Sequence, residues 1–127
     1  LLRPALLGAA TVLWASTGFA PAAATGLHLE LDKSAPEAGA VLAESPSSVT
    51  LWFTQAPQMA GTSVRLVSGG EPLDLGDAVA SEDDPKIIVL AISEPLADGE
   101  YTVVWRAMAA DGHVVRGDFP FTVRAAP

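Results

Sequence analysis

The chain contains only two histidines among its 127 residues, and one of them closes an Asp111-Gly112-His113 tripeptide near the C-terminus. The other, His28, lies far upstream. A carboxylate and an imidazole on either side of a glycine offer oxygen and nitrogen donors from one tight turn, the chemistry of a small metal site. Gly112 lets the backbone turn sharply enough for Asp111 and His113 to converge. Taken alone the tripeptide is a weak signal, because Asp-Gly is a common turn dipeptide and a solvated histidine is the plainer reading. Cysteine is absent, so any metal bound must use nitrogen and oxygen ligands rather than thiolates.

The elements that must position these residues begin after an apolar leader. Residues 1–24 carry one charge, Arg3, then an apolar run through Leu13, Trp14 and Phe19, then Pro21-Ala22-Ala23-Ala24. A basic start, an apolar middle and a small-residue end read as a secretory signal peptide. The apolar span is short for a membrane anchor, which needs about 20 residues. Cleavage is expected after Ala24, or as late as Gly26, which assigns the protein to the periplasm or another exported compartment. An exported domain without disulfides must be held by its core alone.

Residues 25–124 then form one modest domain, with 125–127 as a tail. Removing Arg3 leaves six basic residues against fifteen acidic ones. That balance argues against nucleic acid, whose phosphates require a basic surface. The acidic run Glu82-Asp83-Asp84 lacks the alternating oxygen ligands and the glycine of an EF-hand and reads as a solvated loop.

No long amphipathic helix is visible after Ala24. Short runs alternate with period two between Pro, Gly, Ser and Asp clusters. Leu27–Leu31 places His28 and Glu30 opposite three leucines. Further strands are expected at Ser48–Phe53, Thr62–Val67, Tyr101–Arg106 and Asp118–Val123, with a short locally paired piece at Leu73–Leu75. Ile87–Ile92 is apolar on both faces, as in a strand buried inside a sandwich. Pro120 cannot donate to a ladder, which places the last strand at an edge or interrupts it. About seven short strands at even spacing predict an all-β, Greek-key sandwich of immunoglobulin-like type.

Three blocks carry a resemblance. The first is His28-x-x-Leu31-x-x-Ser34-x-Pro36-x-x-Gly39-Ala40-x-Leu42, and the second is Pro46-x-x-Val49-x-Leu51-x-Phe53. The third runs Tyr101-x-Val103-x-Trp105-Arg106, then Asp111-Gly112-His113, then Gly117-x-Phe119-x-Phe121-x-Val123. Together they resemble the CopC family of periplasmic copper-resistance and copper-homeostasis domains, from His28 to Val123. The resemblance implies a cupredoxin-like sandwich binding one Cu(II) per chain through His28, Asp111 and His113. It also implies a CopD-like membrane transporter as partner for a monomeric carrier that is not an enzyme.

In such proteins the first histidine commonly starts the mature chain and adds its α-amine, whereas cleavage after Ala24 leaves His28 fourth. Zn²⁺ suits the same donors, so the choice of copper leans on the resemblance. Only Met59 and Met108 offer thioethers, so no dedicated Cu(I) site is expected. Trp105 is expected in the core and Arg106 at the surface or on a carboxylate, although Tyr101, Trp105 and Arg106 could also shape the surroundings of the metal. Two other readings remain open. One is a copper-brace oxidative enzyme acting on polysaccharide, with Trp52 as its exposed aromatic; the other is a metal-free structural sandwich.

Overall fold

The computed structural model describes residues 28–125, so the expected leader and the last two residues of the tail lie outside it. Nine strands and one short 3-10 turn make two sheets. In chain order the strands are β1 Leu31–Ala35, β2 Val41–Leu42, β3 Ser48–Phe53, β4 Ser63–Ser68, β5 Glu71–Pro72, β6 Val79–Ala80, β7 Ile87–Ala91, β8 Gly99–Met108 and β9 Val114–Val123. One sheet runs β1-β3-β7-β6 and the other β2-β9-β8-β4-β5. No α-helix occurs among the described residues.

Period-two alternation supplies the core, because successive side chains of a strand point to opposite faces. Val49, Leu51 and Phe53 of β3, Ile88 and Leu90 of β7, Tyr101, Val103, Trp105 and Ala107 of β8, and Phe119, Phe121 and Val123 of β9 are all buried between the sheets. Phe53 meets Trp105 edge-on with centroids 5.4 Å apart, and Tyr101 stacks on Phe121 at 5.6 Å. Such pairs contribute about 0.5–1.5 kcal/mol beyond their buried area.

The structure shifts several sequence expectations. The first strand is Leu31–Ala35, not Leu27–Leu31. Its register with β3 slips between Leu31 and Lys33, so His28 to Glu30 lead into the ladder without belonging to it. Even so, Leu29 is buried and His28 and Glu30 are exposed, the side-chain alternation expected there. The locally paired piece is Glu71–Pro72, with Leu73 N–H donating to Leu66 O just beyond it. β7 buries one face only, since Ile87 and Val89 remain half exposed. The two additional strands, β2 and β6, have two residues each, below what alternation can reveal.

Pro120 does not interrupt β9. It pairs with Thr102 of β8, and its carbonyl accepts from Gly39 N–H at 2.7 Å. The flank of β9 away from β8 is covered by a strand only at Thr122 and Val123, so an imino residue there breaks no β8–β9 bond.

β8 and β9 pair over ten consecutive residues each, Gly99–Met108 against Val114–Val123. Trp105 faces Gly117 in this ladder, and a Cβ built at Gly117 would lie 2.6 Å from Trp105 Cζ2. Glycine is therefore required for the indole to lie flat across β9 and reach Phe53. Gly117→Ala should cost about 1–3 kcal/mol through overpacking, read as a lower midpoint in denaturant unfolding followed by tryptophan fluorescence. An unchanged midpoint would show that the indole has room to move.

Candidate metal centre

The ladder closes at the pair Met108–Val114, leaving residues 109–113 as its loop. Gly112 N–H donates to Ala109 O at 2.9 Å, and Ala109 N–H donates to His113 O at 2.8 Å. Gly112 sits at φ +90°, a left-handed conformation that side chains disfavour. This is the conformational reason for glycine between the two candidate donors.

Asp111 and His113 converge as their spacing predicted. Asp111 Oδ1 accepts from His113 N–H at 3.0 Å, and Asp111 Oδ2 lies 2.6 Å from His113 Nδ1. The hydrogen bond from the His113 amide, followed by that from its ring, holds the Asp111 carboxyl below its ordinary 3.8. Both side chains are solvated, His113 85 % and Asp111 63 % exposed, so the pair contributes little to stability and stays open to an incoming ion.

His28 comes to the same place from the other sheet. Its carbonyl accepts from Thr54 Oγ1 at 2.8 Å, and Thr54 Oγ1 accepts in turn from Glu30 N–H at 2.9 Å. Thr54 N–H closes the link by donating to Glu30 O at 2.9 Å. Thr54, one residue beyond β3, thus anchors the segment carrying His28. Buried Leu29 pins it from below. His28, Leu29, Ala109, Asp111, His113 and Val115 line one depression of about 370 Å³.

The three donors share this depression without forming a ready-made cluster. Among the described residues no group of three or more His, Cys, Asp or Glu side chains stands close enough to hold a metal ion. Asp111 and His113 are paired; His28 adjoins them.

Alternation did not point to Gln58 or Thr54, which belong to loops. Gln58 Nε2 donates to Ala109 O at 2.8 Å and to Ala110 O at 3.1 Å, and its own N–H donates to Met108 O at 2.8 Å. It therefore clamps the base of the candidate loop from 51 residues away. Its position after Pro57 was the only hint.

The other sequence candidates fall elsewhere. Trp105 is core, as expected. Tyr101 is core too, its hydroxyl donating to Ala97 O at 2.6 Å, at the end of β8 away from the loop. Among the described residues Arg106 pairs with no carboxylate; its Nε donates to Gly61 O at 3.2 Å. Met59 and Met108 are half-buried packing residues, the first against the core and the second against Gly61. Trp52 does not present a bare ring, because Lys33 Nζ sits 4.7 Å from its centroid.

Comparison with known proteins decides the family. The CopC domain model matches residues 31–124. The chain belongs to the CopC family. A relative, copper resistance protein C of Escherichia coli, is 33 % identical over 104 residues, 76 % of this chain and 82 % of that one. The crystal structure of CopC from Methylosinus trichosporium OB3b superposes with a TM-score of 0.70 at 30 % identity, over 79 % of this chain and 97 % of that one. PcoC from E. coli, described as a methionine-rich copper resistance protein, gives 0.68 at 31 % identity over 76 % and 99 %. This CopC chain has two methionines in all.

The Asp111 geometry predicts its titration. A folded-state value below the unfolded one stabilises the loop above the unfolded value, and the contribution is lost as pH falls through the folded one. A carboxyl ¹³C titration by NMR should place the Asp111 midpoint below 3.8, and His113→Ala should return it towards that value. A wild-type midpoint at or above it would show that the His113 contacts do not persist in solution.

Proposed function

We propose that this CopC-family chain is an exported Cu(II)-binding protein, not an enzyme. It holds one copper ion through His28, Asp111 and His113 and delivers it to a CopD-like membrane transporter. The observation that carries this reading is the exposed Asp111–His113 pair set in one depression with His28. Imidazole nitrogen and carboxylate oxygen are the donors that Cu(II) favours, and Cu(II) binds such sets more strongly than the other common divalent ions.

The donor geometry fits. Two cis ligands each ~2.0 Å from one metal stand ~2.8 Å apart, close to the 2.6 Å between Asp111 Oδ2 and His113 Nδ1. A metal held between them would take both atoms as ligands and would release the ring proton to solvent. Alternatively, Asp111 remains on Nδ1 and the ring offers Nε2, the carboxylate–histidine arrangement that fixes the tautomer of many metal-binding imidazoles. Either mode leaves His28, which lines the same depression on a backbone held by Thr54, to complete the set. The open, solvated position suits a carrier, since ligand exchange with a partner needs access. The reading of Cu(II) is supported by the imidazole and carboxylate donors, which suit it better than the soft ion Cu(I). In the described residues no helix is long and apolar enough to cross a membrane, and the export assignment rests on the leader sequence.

Titration of the purified mature protein with Cu(II), followed by electron paramagnetic resonance, should saturate at one equivalent with an axial nitrogen–oxygen spectrum. His113→Ala and His28→Ala should each weaken binding at least tenfold, and Asp111→Asn by less, since an amide keeps one oxygen donor. Unaltered affinity in His113→Ala would sink the assignment. Binding should also weaken as pH is lowered, because protons compete with the metal for imidazole nitrogen. An affinity flat from neutral to mildly acidic pH would exclude histidine ligation.

A further inference from the structure

The outer face of the five-stranded sheet carries a feature that the metal site does not use. Arg65 of β4, Arg106 of β8 and Arg116 of β9 all point outward from three adjacent strands, around a groove of about 620 Å³. Three of the chain's seven basic residues are gathered there, in a protein of net charge −8. Arg106 and Arg116 stand directly opposite each other in the ladder, a like-charge cross-strand arrangement that disfavours the folded sheet. Among the described residues none of the three makes an ion pair. Arg106 spends one N–H on Gly61 O, and the nearby carboxylates Asp118 in the groove and Asp74 and Asp77 beside Arg65 leave the guanidiniums unpaired. Between the arginines lies Val104, 40 % exposed and among the largest exposed apolar side chains of the domain.

We infer that this arginine-lined sheet face is a docking surface for an acidic, extended segment of a protein partner. Guanidiniums bind carboxylates in paired, directional hydrogen bonds, and arginines around an apolar centre are a composition that protein interfaces favour. A carboxylate placed between Arg106 and Arg116 removes their mutual repulsion. The overall negative charge repels long polyanions such as nucleic acid or an anionic bilayer, so a short acidic segment is the occupant that the charge distribution admits. Arg106–Arg116 lies two register steps from the Met108–Val114 pair that closes the Asp-Gly-His loop, or roughly 7 Å along the strand. A partner held there stands beside the loop. The inference is independent of whether that loop binds copper.

The test uses a fluorescein-labelled ten-residue peptide of alternating glutamate and threonine, with binding read by anisotropy as salt is raised. The mature protein should bind it in a salt-sensitive manner. Arg65→Glu/Arg116→Glu, which leaves the Arg106–Gly61 bond in place, should weaken binding at least tenfold. Lys86→Glu/Arg124→Glu, an equal change in net charge elsewhere, should stay within twofold of the unaltered protein. Thermal melts followed by circular dichroism confirm that both variants fold, and copper titrations of both should be unchanged, which separates this surface from the metal reading. Equal weakening in the two double variants, or no weakening in the first, overturns the proposal. So does tighter binding to phosphatidylglycerol vesicles or to a ten-nucleotide thymidine strand than to the peptide. Self-association of the unaltered protein that Arg65→Glu/Arg116→Glu abolishes assigns the face to a second copy and likewise overturns it.

Discussion

The pairing of β8 with β9 is the constraint on which the rest of the molecule depends. Ten consecutive register pairs hold these strands, and the packing of Trp105 across Gly117 and against Phe53 locks that register to the opposite sheet. A slip of β9 by one residue would turn Phe119, Phe121 and Val123 to solvent. It would also displace the turn at the end of the ladder. The position of Asp111 and His113 is therefore inherited from a buried indole and a glycine several residues away. Residues that never touch the loop help to set where it lies.

The two sheets contribute unequally to the candidate metal centre. The five-stranded sheet supplies a rigid ladder whose loop is tied by backbone bonds, by the left-handed Gly112 and by the Gln58 clamp. The four-stranded sheet supplies His28 through a segment that precedes its first strand and is held by Thr54 and Leu29. One half is preorganised and the other is tethered. That division would suit the proposed capture and release of an ion, because His28 could leave without disturbing the ladder.

The same ladder carries both functional faces proposed for this CopC-family chain. The β8–β9 loop holds the acid–imidazole pair, and the outward side chains a few residues back hold the arginines. Alternation along the strands keeps these roles apart from the core. Tyr101, Val103, Trp105 and Ala107 face inward while Val104 and Arg106 face outward. Function at one end and on one face thus costs the hydrophobic interior nothing.

Much of this was legible in the residues themselves. Alternation located the long strands and nearly all of the core, because a half-buried strand must repeat every two residues. The short spacing of Asp111, Gly112 and His113 made a meeting of their side chains possible, and the turn brings it about. Tertiary structure alone decided three other matters. It moved the first strand to Leu31–Ala35, because the cross-strand register with β3 and not local alternation selects the pairing. It placed His28 in the depression that it shares with the Asp-Gly-His loop, a placement that depends on how two sheets pack. It also gathered Arg65, Arg106 and Arg116 from three strands onto one face, where strand order, invisible to any local pattern, sets which side chains become neighbours.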